Sequence, residues 1–225
     1  MKSKTMVALG LLGVLSLGGI RVSAETLKNA VPKNTLMTEK SITQSSNAGV
    51  DETKLKEIAK NAFEDYFNEK LDTNNLKGSM NLIKANAKWN SHGKDYYQIV
   101  WNNGDKDYYA NVEMDGKIFD IAIIYKKAAN SQKVTLIELE EAKKIAADFI
   151  REKNLVADSS ELKFLGEATI GPETCGVVYE GEKGTGILVS VDSATKKVRG
   201  FVYKTLEDAK KAVELNDFRN NGILG

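Results

Sequence analysis

The sequence predicts an α+β fold of two tandem units, each a helix followed by a four-stranded antiparallel sheet, with a short C-terminal helix at the end. Three observations carry this reading. The stretch VSVDSATKKVRGFVY at 189–203 has two alternating strands around a turn, and NVEMDGKIFDIAIIY at 111–125 repeats the outline. Each hairpin closes a run of alternating segments, the period of half-buried strands. Ahead of each run lies an apolar stripe at three- and four-residue spacing, the signature of an amphipathic helix.

The chain opens MKSKTMVALGLLGVLSLGGIRVSAET, with Lys2 and Lys4 before an apolar run and Val22-Ser23-Ala24 as a small-residue cleavage site. This order of regions predicts a secretory signal peptide over 1–24. The apolar run contains Gly10, Gly13, Gly18 and Gly19 and falls short of the roughly 20 residues a membrane span needs. The reading is therefore of a secreted or envelope protein with no stable membrane insertion after cleavage. Residues 25–50, rich in Ser, Thr and Asn and lacking a sustained period, read as a flexible tether that buries too little apolar surface to offset its ordering entropy.

The first unit is expected over 51–128. Leu55, Ile58, Ala59, Ala62, Phe63, Tyr66 and Phe67 form the helical stripe, and Asp51 is placed to cap the first turn. Strands are expected at 83–89, 96–101, 108–114 and 118–125, separated by SHGKD, NNGDK and the hairpin signal Asp115-Gly116. The second unit, 133–204, begins with Thr135 and Glu138 at capping-box spacing and the stripe Leu139, Ala142, Ile145, Ala146, Phe149 and Ile150. Its strands are expected at 162–168, 174–180, 186–191 and 198–203. The segment TLEDAKKAVE predicts a further helix over 205–216, either the start of a third copy or a cap over the last strand.

Strict alternation assigns the two faces of each sheet. With Tyr97, Ile99, Trp101, Tyr108, Ala110, Val112, Met114, Phe119, Ile121, Ile123 and Tyr125 facing the first helix, the reverse face carries Tyr96, Val100, Tyr109, Ile118, Ala122 and Ile124. In the second unit the reverse face carries Val178, Leu188 and Phe201. A surface this apolar is seldom left bare. Either the units pack together or pair edge to edge into one longer sheet, or part of the face docks another protein.

The residues Glu140, Glu141, Ala142, Ile145 and Ala146 on the helix, Tyr179 in a strand, and Val189, Val191, Asp192, Thr195 and Val198 in the hairpin resemble the PepSY domain of exported bacterial proteins. The resemblance covers nearly all of the second unit; the first follows it in outline through Val112, Gly116 and Ile118. It implies a small helix-plus-antiparallel-sheet module with a non-catalytic role, proposed for the family to be inhibition or modulation of peptidases. Family members usually carry Thr-Gly-Lys at the turn, where this chain has Thr195-Lys196-Lys197. A lysine in the left-handed position costs roughly 1–2 kcal/mol, so either the turn type differs or the domain tolerates the strain.

The composition narrows the chemistry. Removing 1–24 takes away Lys2, Lys4 and Arg21 and no acid, shifting the formal charge from +1 to −2, which makes no electrostatic case for nucleic acid or an anionic membrane. Cys175 is the only cysteine and closes no intramolecular disulfide, and His92 is the only histidine. One of each does not supply a zinc set or a Cys-His pair, so His92 reads as an exposed turn residue and Cys175 as a half-buried strand residue. Glu138, Glu140 and Glu141 suit a helix N-terminus, and Asp192 suits a turn in which it bonds its local backbone. No catalytic residue, cofactor or metal is expected. The expectation is a protein-binding module with a peptidase as the implied partner class; the alternative is a self-associating structural or assembly component of the cell envelope or spore.

Overall fold

The computed structural model describes residues 51–126, 135–157, 159, 162–171 and 173–220. The expected signal peptide and tether lie outside them. Chain order is α1 (Glu52–Phe67), a short 3-10 turn (Thr73–Asn75), β1 (Lys77–Ile83), β2 (Tyr96–Asn102), β3 (Lys106–Glu113), β4 (Ile118–Tyr125), α2 (Leu139–Glu152), β5 (Phe164–Gly171), β6 (Thr174–Glu180), β7 (Thr185–Asp192), β8 (Lys197–Thr205) and α3 (Leu206–Asn220). All eight strands join one antiparallel sheet in the order β1-β2-β3-β4-β8-β7-β6-β5.

Asp51 begins α1 as expected. Its carboxylate accepts from the amides of Thr53 at 3.0 Å and Lys54 at 3.1 Å, satisfying donors that the first helical turn leaves unpaired. Asn68 ends the helix in the left-handed conformation at φ 56° and donates to the Glu64 carbonyl. The expected capping box of α2 is not formed. Glu138 itself occupies the cap position and makes no side-chain cap bond, because the helix starts one residue after it.

Both helices lie on one face of the sheet and share one core. Phe63 is fully buried, edge-on to Trp101 and Tyr108 with ring centroids 6.3 and 5.4 Å away. From α2, Ala142, Ala146 and Ile150 are fully buried in the same cluster as Val177, Ile187, Val189 and Phe201. The helices meet where Phe67 stacks on Phe149 at 6.0 Å and Tyr66 meets Phe201 edge-on at 5.0 Å. Such offset and edge contacts suit the quadrupole of the rings.

Two expected positions change. The strand expected at 83–89 falls earlier, at Lys77–Ile83, because that segment continues an unbroken register with β2 from Lys77↔Asn102 to Ile83↔Tyr96. Residues 84–95 instead form a hydrogen-bonded loop: Asp95 accepts from the Ala85 amide at 2.7 Å and Lys84 Nζ at 3.0 Å, and Asn90 Nδ2 donates to the Lys84 and Lys94 carbonyls. The second change is an inversion of faces along β4 and β8. The ladder slips between Asn111 and Val112, so that Asn111 pairs with Asp120 but Val112 pairs with Ile118. It slips again between Ser190 and Val191, where Ser190 pairs with Gly200 but Val191 pairs with Val198. Each slip leaves one extra residue, Phe119 or Arg199, and an extra residue reverses the side-chain alternation around it.

Helix α3 covers the opposite face of β5–β8. Ala209 is fully buried there with Val178, Leu188 and Ala168, and Leu165, Ile170, Val202, Ala212 and Val213 pack around them. Gly186 lets the helix approach, since a Cβ at that position would meet the Ala209 Cβ at 2.4 Å. The expected C-terminal helix is thus a cover over the sheet.

Candidate functional site

The eight residues expected on the reverse face are divided by the fold. Ile118 and Phe201 belong to the helix-covered core: Ile118 packs against it and Phe201 touches Tyr66 and Phe149. The two bulges account for both corrections, since the alternation that assigned those residues skipped one position in each hairpin. Val178 and Leu188 do lie on the opposite face, under α3. Tyr96, Val100, Tyr109 and Ile124 lie on the opposite face of β2–β4; the first three are buried and Ile124 is half-buried.

At one end of this face the loop 84–95 closes over an apolar cluster of Ile83, Tyr96 and Phe119. His92 stacks flat on Phe119, with centroids 3.7 Å apart and planes 3° from parallel, and Nε2 sits 3.1 Å from the Glu113 carboxylate. Lys94 reaches the other oxygen of Glu113 at 2.8 Å. His92 is therefore a half-buried anchor of the loop and not an exposed turn residue. Burial lowers its pKa below the ordinary imidazole value, and the opposing pull of Glu113 only partly offsets this.

Beside that cluster lies a buried polar group that spans β2, β3, β4 and β8. The Tyr109 hydroxyl accepts from Asn111 Nδ2 at 2.6 Å and from Gln98 Nε2 at 3.4 Å. Asn111 Nδ2 also donates to Asp120 Oδ2 at 3.2 Å, while the buried Asn111 Oδ1 has no hydrogen-bond partner. Burial pushes the Asp120 carboxyl up to about 7; Lys204, Asn111 and Tyr109 pull the other way and are outweighed. Burial also raises Tyr109 and lowers Lys204.

The two sheet edges differ. β5 pairs irregularly with β6, slipping between Phe164 and Gly166 and again between Thr169 and Gly171, and α3 packs beside it. β1 runs seven residues without a bulge or proline. Lys77, Gly78, Ser79 and Asn81 are exposed on it, and Met80 and Leu82 are half-buried against the helix-side core. Bulges and a covering helix are the usual devices that block strand addition. β5 has both, and β1 has neither.

Among the described residues no group of three or more His, Cys, Asp or Glu side chains is placed to hold a metal ion. Cys175 is buried with Sγ 3.6 Å from Glu167, and burial followed by that carboxylate pushes its pKa up to about 12, which holds it as a thiol. No helix among the described residues is long and apolar enough to cross a membrane.

Asp120, Asn111, Lys204 and Glu113 were not singled out from the sequence. Asp120 carried one usable signal, as the lone acid within the apolar run Ile118–Tyr125. Its partners come from three other strands, and no local pattern links them.

No protein-family model, no curated protein and no solved structure matches this chain.

Proposed function

We propose that this chain is an exported, non-catalytic interaction protein built of two tandem PepSY-like units, and that it binds an extended segment of a secreted or envelope protein, with a peptidase as the partner class. The observation that carries the reading is the unbroken edge strand β1 opposite a protected edge at β5. A partner segment added there gains main-chain hydrogen bonds along seven residues. Its side chains alternate, so the segment that fits has apolar residues beside Met80 and Leu82 and polar residues beside Ser79 and Asn81.

The tandem reading is supported by element order, helix then four strands twice over, and by the register slip that recurs just before Val112 and Val191. In this reading the units meet through their last strands, β4 and β8, which leaves the first strand of each at the outside. The second unit's outer strand is then blunted and the first unit's is left to bind.

The test replaces Met80 with proline, which deletes one main-chain donor and is tolerated at a sheet edge. The mature chain with a photo-crosslinker at Asn81 is added to culture supernatant of the producing cells, and the crosslinked protein is identified and assayed. A partner whose crosslinking and change in activity both vanish in Met80→Pro, with circular dichroism unchanged, supports the reading. Equal crosslinking by both proteins removes β1 from it. The same edge is able to pair with itself, which favours the self-associating envelope or spore component as the second reading; a concentration-dependent oligomer abolished by Met80→Pro, without any partner, selects that one.

A further inference from the structure

Antiparallel pairing of an edge strand with a second copy of itself restricts the register. The faces of the two sheets match only when one residue lies on the two-fold axis and meets its own counterpart. A seven-residue strand pairs along its whole length only when that residue is its fourth. In β1, Lys77–Ile83, the fourth residue is Met80. The axis then sets Lys77 against Ile83 of the second copy, Gly78 against Leu82 and Ser79 against Asn81, each pair occurring twice.

These pairs fit in size and charge. On the face toward α1, Gly78 is exposed and its empty side-chain position borders Trp101, where a Cβ would meet the indole Cδ1 at 2.8 Å. Leu82 of the second copy, placed opposite Gly78, extends toward that indole. On its inner side Leu82 pairs with Tyr97, as Gly78 pairs with Trp101. An apolar row therefore runs without a break from Tyr97 and Leu82 of one copy to Gly78 and Trp101 of the other, on each side of the Met80 pair. On the opposite face the exposed Ser79 hydroxyl meets the exposed Asn81 carboxamide, and the two are able to hydrogen-bond. Lys77 is the one charged residue of the strand and stands at the end of the ladder, so no like charges are opposed. Registers centred on Ser79 or Asn81 also match the faces, but they shorten the ladder from seven pairs to five.

We propose that, when no partner segment is bound, β1 is capped by β1 of a second copy in a two-fold dimer centred on Met80, which joins two eight-stranded sheets into one. This rests on the reading of β1 as the binding edge and adds its regulation, because dimer and partner compete for the same main-chain groups. One strand pair is a small interface beside the roughly 1,200–2,000 Å² buried in stable complexes, so the dimer is reversible and a partner segment is able to displace it.

The two-fold axis supplies a test of register. Residue 80 is the position that meets itself, so Met80→Cys should close an interchain disulfide in oxidised glutathione about tenfold or more faster than Ser79→Cys or Asn81→Cys. Cys175 is buried, and the unaltered chain is its control. Equal rates for the three variants, or no linked dimer from Met80→Cys, overturn the proposal. Sedimentation equilibrium of the unaltered mature chain depends on no variant folding: a monomer–dimer equilibrium between about 10 and 500 μM is expected, and a monomer throughout that range overturns the dimer. The competition is read with the photo-crosslinker at Asn81, in culture supernatant. The disulfide-locked Met80→Cys dimer should capture no partner and regain capture on reduction, and equal capture by both forms overturns the capping. A reduced chain that captures nothing removes the partner reading of the edge, while self-pairing still stands or falls on the disulfide rates and the sedimentation.

Discussion

Lys196 shows how one residue departs from what its position favours. It sits at φ 54°, where the first hairpin has Gly116 at φ 93°. Its side chain reaches α2, with Nζ 2.7 Å from Glu141 Oε1, so the strained turn also ties the hairpin to a helix. Both partners of that pair are well exposed, and such pairs contribute little. Relief of roughly 1 kcal/mol of left-handed strain therefore exceeds the lost pair, and Lys196→Gly is expected to stabilise the protein by about 0.5 kcal/mol, read as a higher urea midpoint at unchanged slope. Asp192 behaves as the turn residue its sequence suggested, accepting from the Thr195 amide at 2.8 Å and hydroxyl at 2.9 Å. Cys175 gives a second prediction at this scale. Moving its pKa from 9.0 to about 12 cuts the thiolate fraction at pH 8 by roughly a thousandfold, so an aromatic disulfide reagent should leave the folded protein unmodified and react fully once urea unfolds it.

Among the elements, α3 answers the part of the question posed by the apolar reverse face that lies on β5–β8. It takes Val178 and Leu188 into a core of its own and so removes them from any partner surface. Gly186 makes this docking possible, and Gly186→Val should displace the helix at a cost of about 2–3 kcal/mol, since the added side chain meets Ala209 with no room to yield. Loss of exchange protection at residues 209–213, with α1 unaffected, is the measurement that checks it. The loop 84–95 plays a comparable part at the other end of the sheet through His92 on Phe119. His92→Ala removes that stack and one partner of the buried Glu113, and should cost about 1–3 kcal/mol by urea unfolding, with the largest losses of protection at Tyr96 and Phe119.

At the scale of the whole molecule, β1–β4 and β5–β8 are joined in two ways: by the short β4–β8 ladder and by the core shared by α1 and α2. The shared core is continuous through Phe67, Phe149, Tyr66 and Phe201, so the native protein is expected to unfold in a single transition. Gly200→Val drives a side chain against the Ile121 carbonyl and the Ala122 Cβ. It should split calorimetric unfolding into two transitions or lower its midpoint by several degrees, whereas a single unchanged peak would show that the β4–β8 ladder contributes nothing. Stability also depends on pH through Asp120. Its pKa in the folded protein, about 7, lies above the ordinary 3.8, so the folded state binds this proton more tightly than the unfolded chain does. The contribution is therefore full below about pH 4, declines as pH rises to about 7 and is constant above. The thermal midpoint of the native protein relative to Asp120→Asn should fall over that window.

The fold was legible where the pattern is local. The stripe of α1 and its Asp51 cap, the stripe of α2 and the strands around both hairpins follow from side-chain period and turn chemistry, which neighbouring residues set among themselves. The position of β1 was not, because its register comes from pairing with β2 and not from its own alternation. The candidate face was legible in part: Tyr96, Val100, Tyr109, Ile124, Val178 and Leu188 stand on the side that alternation gives them, while Ile118 and Phe201 were carried across by bulges that appear only when two strands are laid side by side. By itself the sequence determined that helices and alternating strands would form, and that both hairpins would share one outline. Tertiary structure alone decided that eight strands join one sheet, that its outer edges differ, and that a carboxylate is buried within the β4–β8 ladder. Those outcomes depend on which distant backbones meet and how much water their meeting excludes, and no residue's neighbours along the chain specify either.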